Sequence, residues 1–254
     1  MKRWLVLAGA VMLAACDQTT AVAPDVSVTP QFESLALLEG LTGQSPIDIA
    51  PANAVRDGGR LPKLRFDYSP LADLHVVNTG SPDEEATIRA NVLPGGGEFY
   101  MGEKRFTLLQ FHWHTPSEHT VNGEYFPLEM HLVHGSDDGE LTVVGVLIQH
   151  GAFNRALAQI FDDLPEDEEQ ERDLHRFNLV RLAAGTGSTF RYSGSLTTPP
   201  FTEGVNWVVM TEPIEMSRDQ IRNFTTLFPE GNSRLAQPLD GRIVVTDLPP
   251  GHRK

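Results

Sequence analysis

Short apolar runs alternate with polar positions along most of the chain, and Gly or Pro interrupts the pattern at frequent intervals. Period-two alternation between such breaks predicts β-strands. Arg105–His114, Leu128–His134, Leu141–Gln149, Thr189–Leu196, Val205–Thr211 and Arg242–Val245 are short β-type runs between these breaks and all read as strands. Leu141–Gln149 is nearly all apolar, which predicts a central strand buried on both faces. Two segments carry helical spacing instead. Asn154–Leu164 puts Ala156, Leu157, Ile160, Phe161 and Leu164 on one stripe. Met216–Phe228 contains Ser217-Arg218-Asp219-Gln220, a capping-box pattern. Pro165–Asp173 (PEDEEQERD) reads as a charged, solvated loop, and no internal repeat is visible. The fold class expected is mainly β (α+β), a single domain with short peripheral helices.

Charge and composition narrow the function classes. The chain has 254 residues, with 20 Lys+Arg against 34 Asp+Glu, a formal net charge of -14. Phosphate binding needs a basic face, so nucleic acid is not an expected partner; adsorption to anionic headgroups is disfavoured on the same ground. Apolar residues make up 40%, enough for a packed core. The single cysteine excludes an intrachain disulfide and any metal site built on two thiolates.

The amino terminus reads as an address. Lys2 and Arg3 precede Trp4–Ala15, a stretch without charge. It is shorter than the roughly 20 apolar residues of a membrane span and fits the middle of a secretory signal. Leu13-Ala14-Ala15-Cys16 resembles a bacterial lipobox, in which the chain is cut before the cysteine and the thiol is lipidated. The expected organisation is a signal peptide over 1–15, a lipidated Cys16 with a flexible tether over 16–33, one domain over 34–247 and a tail over 248–254. Such a protein is exported and lipid-anchored, facing the periplasm or the exterior.

The histidines carry the chemistry. Of 9 in the chain, His112, His114, His119, His131 and His134 crowd into one short region. On a strand His112 and His114 share a face, with Gln110 beside them and Phe111 and Trp113 turned away. On the next strand Glu129 shares a face with His131, while His134 points oppositely. A carboxylate beside an imidazole fixes its tautomer and raises its basicity, so His131 is the better third ligand. Spacing alone does not decide among His119, His131 and His134. Three neutral imidazoles and no thiolate suit Zn2+ in an open, catalytic site. His112-x-His114-x-x-x-Glu118 also resembles the start of a cupin metal motif, but Phe106 and Tyr125 stand where that motif wants glycines.

Taken together, several stretches resemble the α-class carbonic anhydrases. They are Gln44–Ile49 (QSPIDI), Gln110–His119 (QFHWHTPSEH), Leu128–His134 (LEMHLVH), Tyr192–Pro200 (YSGSLTTPP), Glu203–Val208 (EGVNWV) and Asn232–Leu239 (NSRLAQPL), in the family's order. The resemblance implies a central, strongly twisted mixed sheet of about ten strands, near the usual upper limit for an open sheet, with the metal at the bottom of a cone-shaped cleft. It implies that His112, His114 and His131 bind Zn2+. Gln110, Glu129 and His119 would support them from behind, and His134 would be structural. Glu118 would pair with the hydroxyl of Thr197. An ionised Glu118 can only accept, so Thr197 gives it its one proton, and the Thr197 oxygen is left to accept from the zinc-bound species. That selects hydroxide and aims it. The Thr197 N–H would stabilise the forming bicarbonate. Val133, Val143, Leu196, Thr198 and Trp207 would line the CO2 pocket.

The expected function is zinc-dependent, reversible hydration of CO2 to bicarbonate and a proton, by attack of zinc-bound hydroxide. The partners expected are CO2 and bicarbonate, with the lipid anchor as the sole membrane contact; a homodimer is left open. The sequence departs from the family in three places, one being Gln31–Gly40, which is short and has only Phe32 where members carry an aromatic segment before the Gln-Ser-Pro motif. Fast members carry a histidine after Asn-x-Gly, where this chain has Asn78-Thr79-Gly80-Ser81 followed by Pro82–Glu85. Ser81 or Ala86 then takes that place, and neither titrates near neutrality. Asp83, Glu84 or Glu85 would be about three pKa units, or roughly 4 kcal/mol, uphill from zinc-bound water. His75 is a nearby imidazole that could substitute. Proton transfer is therefore expected to limit turnover. Secreted bacterial members also commonly place a disulfide cysteine after the two prolines, where this chain has Phe201. The alternative function is a carbonic-anhydrase-like binding module that has lost activity. The presence of all three histidines, Glu118 and Thr197 weighs against it.

Overall fold

The computed structural model describes residues 43–80, 86–182 and 187–249. The signal segment, Cys16, the tether, Ser81, Asp83, Glu84, Glu85 and residues 250–254 of the tail lie outside the described residues. Leading strands are β1 (Asp48–Ile49), β2 (Val55–Arg56), β3 (Leu64–Tyr68), β4 (Ala72–Asn78), β5 (Ile88–Val92) and β6 (Gly97–Met101). Next come β7 (Lys104–His114), β8 (Thr120–Val121), β9 (Leu128–Gly135), β10 (Leu141–His150), helix α1 (Ala158–Phe161) and β11 (Glu171–Phe177). The last are β12 (Thr189–Ser195), β13 (Glu203–Met210), β14 (Ile214–Met216), helix α2 (Arg218–Leu227) and β15 (Val245–Thr246).

One mixed sheet of 13 strands dominates, in the order β11-β4-β5-β7-β9-β10-β13-β12-β15-β2. β14 pairs with β10, and β6 links β3 to β7. β10 is the pivot, antiparallel to β9 and parallel to β13. It is buried through most of its length, as its apolar composition predicts. Alternation sorts the side chains of the central strands between two faces. Phe111, Trp113, Met130, Leu132, Val144, Val146 and Val208 turn to the larger core, which α1 and α2 cover through Phe161 and Phe224. The other face carries His112, His131, Val133, Val143 and Trp207. Each large side chain buried in these cores contributes about 1.5–3 kcal/mol.

β7, β9, β10, β12 and β13 fall where the sequence predicts strands, and Ser217 caps α2 with the capping box formed in both directions. Three expectations are corrected. The stripe over Asn154–Leu164 forms a helix only at Ala158–Phe161. The Asn154 side chain accepts the N–H groups of Ala156 and Leu157, so the chain turns instead of starting the helix early. The carbonyls of Gln159 and Phe161 are then taken by Arg172 and Asn223 from outside. The segment Pro165–Asp173 is not loop throughout, because Glu171–Asp173 open edge strand β11 against β4. Charged residues are what an exposed sheet edge favours, so composition concealed the strand. Of Arg242–Val245, only Val245 is in a strand. Arg242 turns inward instead, donating to the carbonyls of Gln44, Ser193, Pro238 and Leu239.

Candidate metal centre

Cross-strand register assembles the site. On the face away from the larger core, β7 and β9 set Gln110 opposite Val133, His112 opposite His131, and His114 opposite Glu129. β10 sets Val143 beside Val133 and Gly145 beside His131, and β13 sets Trp207 beside Val143. Neighbouring strands lie about 4.8 Å apart, so side chains of one row touch. His112, His114 and His131 each offer a ring nitrogen within 4.8 Å of the others. Gly145 makes room for this: a Cβ there would sit 3.0 Å from Glu129 Oε1.

Each imidazole has its other nitrogen committed. His112 Nδ1 is 2.8 Å from Gln110 Oε1, and His114 Nδ1 is 3.1 Å from the Asn232 carbonyl. His131 Nε2 is 2.9 Å from Glu129 Oε1. All three partners accept, so these nitrogens carry the ring protons. Lone pairs remain on His112 Nε2, His114 Nε2 and His131 Nδ1, and the last two atoms are 3.1 Å apart. Two lone pairs so close repel each other, whereas a cation between them attracts both. Burial keeps the His131 ring neutral, pushing its pKa down to about 4 against the opposing pull of Glu129. Three neutral imidazoles fit an open metal site. His119, Glu129 and His131 form a second convergent group, but its atoms are occupied with one another.

Glu129 is the hub behind the ligands. It is fully buried and accepts four hydrogen bonds: from the N–H groups of Glu118 and His119 at 2.9 and 2.8 Å, and from His119 Nδ1 and His131 Nε2 at 2.7 and 2.9 Å. Burial alone would raise its pKa, but the surrounding imidazoles hold the carboxyl well below its usual range. His119 continues the network through Nε2, 2.7 Å from the Tyr192 hydroxyl, which is 2.9 Å from Ser45 Oγ. Gly194 admits Ser45, since a Cβ there would lie 2.1 Å from Ser45 Oγ. Residues from the QSPIDI, QFHWHTPSEH, LEMHLVH and YSGSLTTPP stretches thus meet in one buried chain. His134 lies on the opposite face, 2.6 Å from the Tyr68 hydroxyl, and burial pushes its pKa down to about 4.

Glu118 is buried close by. Its Oε1 accepts the Arg234 N–H at 2.8 Å and lies 3.5 Å from His114 Nδ1. Arg234 also donates to Gln44 Oε1 and the Ser45 carbonyl and stacks 3.8 Å over the Phe201 ring. Phe201, which follows the two prolines, is thus held by a cation–π contact.

A cavity of about 500 Å³ opens over the histidines. Val133, Val143, Leu196, Thr197, Thr198 and Trp207 line it together with Gln110, His112 and His131. Trp207 is fixed there by its Nε1–H bond to the Ser195 carbonyl, 2.9 Å. His114, His119, Glu118 and Glu129 are buried outside its lining. A larger cavity, about 670 Å³, contains none of the candidate residues, and we assign the site to the smaller one on its chemistry. Of the shuttle candidates, Ala86 is described; its carbonyl accepts from Asn232. His75 is held by Asp173 and Glu171 at 3.0 and 3.1 Å; the bond to Asp173 raises its pKa against partial desolvation. Sequence reading missed two residues of the site. Asn232 acts through a backbone carbonyl, which leaves no residue-type signal. Arg89 lines the cavity from a strand that was not foreseen.

Comparison with known proteins agrees with this geometry. Residues 39–247 match the model of the eukaryotic-type carbonic anhydrase family. A carbonic anhydrase of Nostoc sp. is 41% identical over 206 residues, covering 80% of this chain and 75% of that protein. One from Pectobacterium carotovorum is 36% identical over 220 residues, covering 86% and 84%. Among solved structures, the α-carbonic anhydrase of Thermovibrio ammonificans in complex with sulfanilamide superposes with a TM-score of 0.73 at 42% identity. That match covers 80% of this chain and 86% of the other.

Proposed function

The chain belongs to the eukaryotic-type carbonic anhydrase family, and on that premise we propose that it hydrates CO2 reversibly to bicarbonate and a proton, using Zn2+ held by His112, His114 and His131. One observation carries the reading: three buried imidazoles converge, and each has its other nitrogen bonded to an acceptor. Bound there, the ion would lower the pKa of bound water to about 7, which would provide a nucleophile at neutral pH.

The rest is the work of the chain itself. Gln110, the Asn232 carbonyl and Glu129 keep each ring proton on the side away from the metal. Glu118, ionised, would accept a hydrogen bond from the Thr197 hydroxyl, leaving the Thr197 oxygen to accept one from the nucleophile and orient it. The Thr197 N–H stabilises negative charge on the product. Val133, Val143, Leu196 and Trp207 offer CO2 an apolar wall, with Thr198 at its edge. Ala86 carries no titratable group, so proton export depends on weaker bases or on buffer and limits turnover. The protein is exported, lipidated at Cys16 and tethered to a membrane through residues 16–33, with the catalytic domain over 34–247.

Metal analysis and stopped-flow CO2 hydration of wild type and His114→Ala test the proposal. Zinc with activity in wild type, both lost in the variant, is the expected result. Zinc without hydration in wild type would instead favour the inactive binding module, and iron would favour a cupin-like oxidase.

A further inference from the structure

Apart from the histidines, one ionisable side chain lines the cavity among the described residues, and it is a cation, Arg89. Register puts it there. Arg89 is the ladder partner of His112 across β5 and β7, while the next pair, Ala90 and Phe111, turns to the larger core. Partners in an antiparallel ladder have Cα atoms about 4.5–5.5 Å apart, so Arg89 stands beside His112 on the cavity face. Among the described residues its Nε is buried with no hydrogen-bond partner. No carboxylate among the described residues pairs with its guanidinium, although the chain carries 34 Asp+Glu against 20 Lys+Arg. A buried donor without an acceptor is costly, so packing alone does not account for this arginine. An anionic ligand does.

We propose that Arg89 is an anion-binding residue of the cleft, holding bicarbonate against the wall next to His112. CO2 has no net charge and gains little from a guanidinium. Bicarbonate presents two carboxylate oxygens, which match the planar fork of donors that arginine offers. A cleft lined by charge of one sign also concentrates counter-ions at its mouth. Arg89 thereby receives the anion that CO2 hydration produces and captures the substrate of the reverse reaction. The identity of the anion rests on the proposed function; the existence of an anion site does not.

Acetate, an unreactive carboxylate, is the equilibrium probe. It is titrated by calorimetry at constant ionic strength into zinc-loaded wild type, Arg89→Lys and Arg89→Gln. The dissociation constant is expected to rise about five-fold in Arg89→Gln, between the effects of an exposed ion pair and a charge-assisted hydrogen bond. Arg89→Lys, which keeps the charge without the fork, falls between. Thermal melts confirm that each variant is folded, and KM for bicarbonate dehydration is expected to follow the same order. Equal dissociation constants in wild type and both variants overturn the inference, because the anion is then held by the metal alone. Failure of the proposed function reads differently: wild type does not hydrate CO2, while the acetate titration still reports on Arg89.

Discussion

Glu129→Gln exchanges one oxygen for an amide nitrogen at nearly constant volume, and the structure determines where that nitrogen goes. Oε2 receives the N–H groups of Glu118 and His119, which are fixed donors. An amide NH2 placed there would face two donors, so the retained oxygen must stay at Oε2. The NH2 group then occupies the Oε1 position, 2.7 Å from His119 Nδ1 and 2.9 Å from His131 Nε2. It can only donate, so His131 must accept at Nε2 and carry its proton on Nδ1. Nδ1 is the atom that lies 3.1 Å from His114 Nε2, and its lone pair is lost to the metal. Changes to such supporting partners cost about 10- to 100-fold in metal affinity, or about 1.4–2.7 kcal/mol. Zinc affinity measured by competition with a chelator checks this, with circular dichroism to show that the fold persists. Gly145→Ala, whose Cβ would approach Glu129 Oε1 at 3.0 Å, should act in the same direction but more weakly. An affinity for Glu129→Gln within two-fold of wild type would refute the tautomer argument.

Thr197→Val removes the hydroxyl and keeps the shape; CO2 hydration kcat/KM should fall about 100-fold, the scale of one lost transition-state contact, while zinc content stays unchanged. Turnover should rise when imidazole buffer is added at constant pH, because an exogenous base near pKa 6.5 takes the role of an internal shuttle; a flat response would contradict proton-transfer limitation. His134 supplies a pH prediction. Burial lowers its pKa from 6.5 to about 4, so the unfolded chain binds its proton first as pH falls. The stability it contributes is complete above about pH 6.5 and is lost by about pH 4, a difference of about 3 kcal/mol. Urea unfolding across that range should show a shallower pH slope in His134→Gln, and equal slopes would count against the burial argument.

Much of the site was legible because its logic is local. Period-two alternation alone puts His112 with His114 and Gln110, and Glu129 with His131, and the ladder between β7 and β9 keeps those pairings. Choosing His131 over His119 and His134 took the family resemblance. The ladder explains the outcome, since His134 faces the larger core and His119 is bonded to Glu129 and Tyr192. What was not legible depends on contacts distant in sequence. Asn232 holds His114 through a carbonyl across 118 positions of chain, and any residue type could supply that atom. Strands β3, β5, β6 and β11 are short or charged and their pairing is decided by their neighbours, so composition hid them, and Arg89 with them; β4 alternates regularly and was legible in principle. The helix at Ala158–Phe161 shows the reverse case: its apolar stripe is present, but side chains from Asn154, Arg172 and Asn223 claim the backbone groups a longer helix would use.

The most direct test of the central claim is a crystal structure of the zinc-loaded protein with anomalous scattering measured at the zinc edge. A single strong peak bonded to His112 Nε2, His114 Nε2 and His131 Nδ1 is expected, with His131 Nε2 still bonded to Glu129. A peak among His119, Glu129 and His131, or coordination through His131 Nε2, would contradict it.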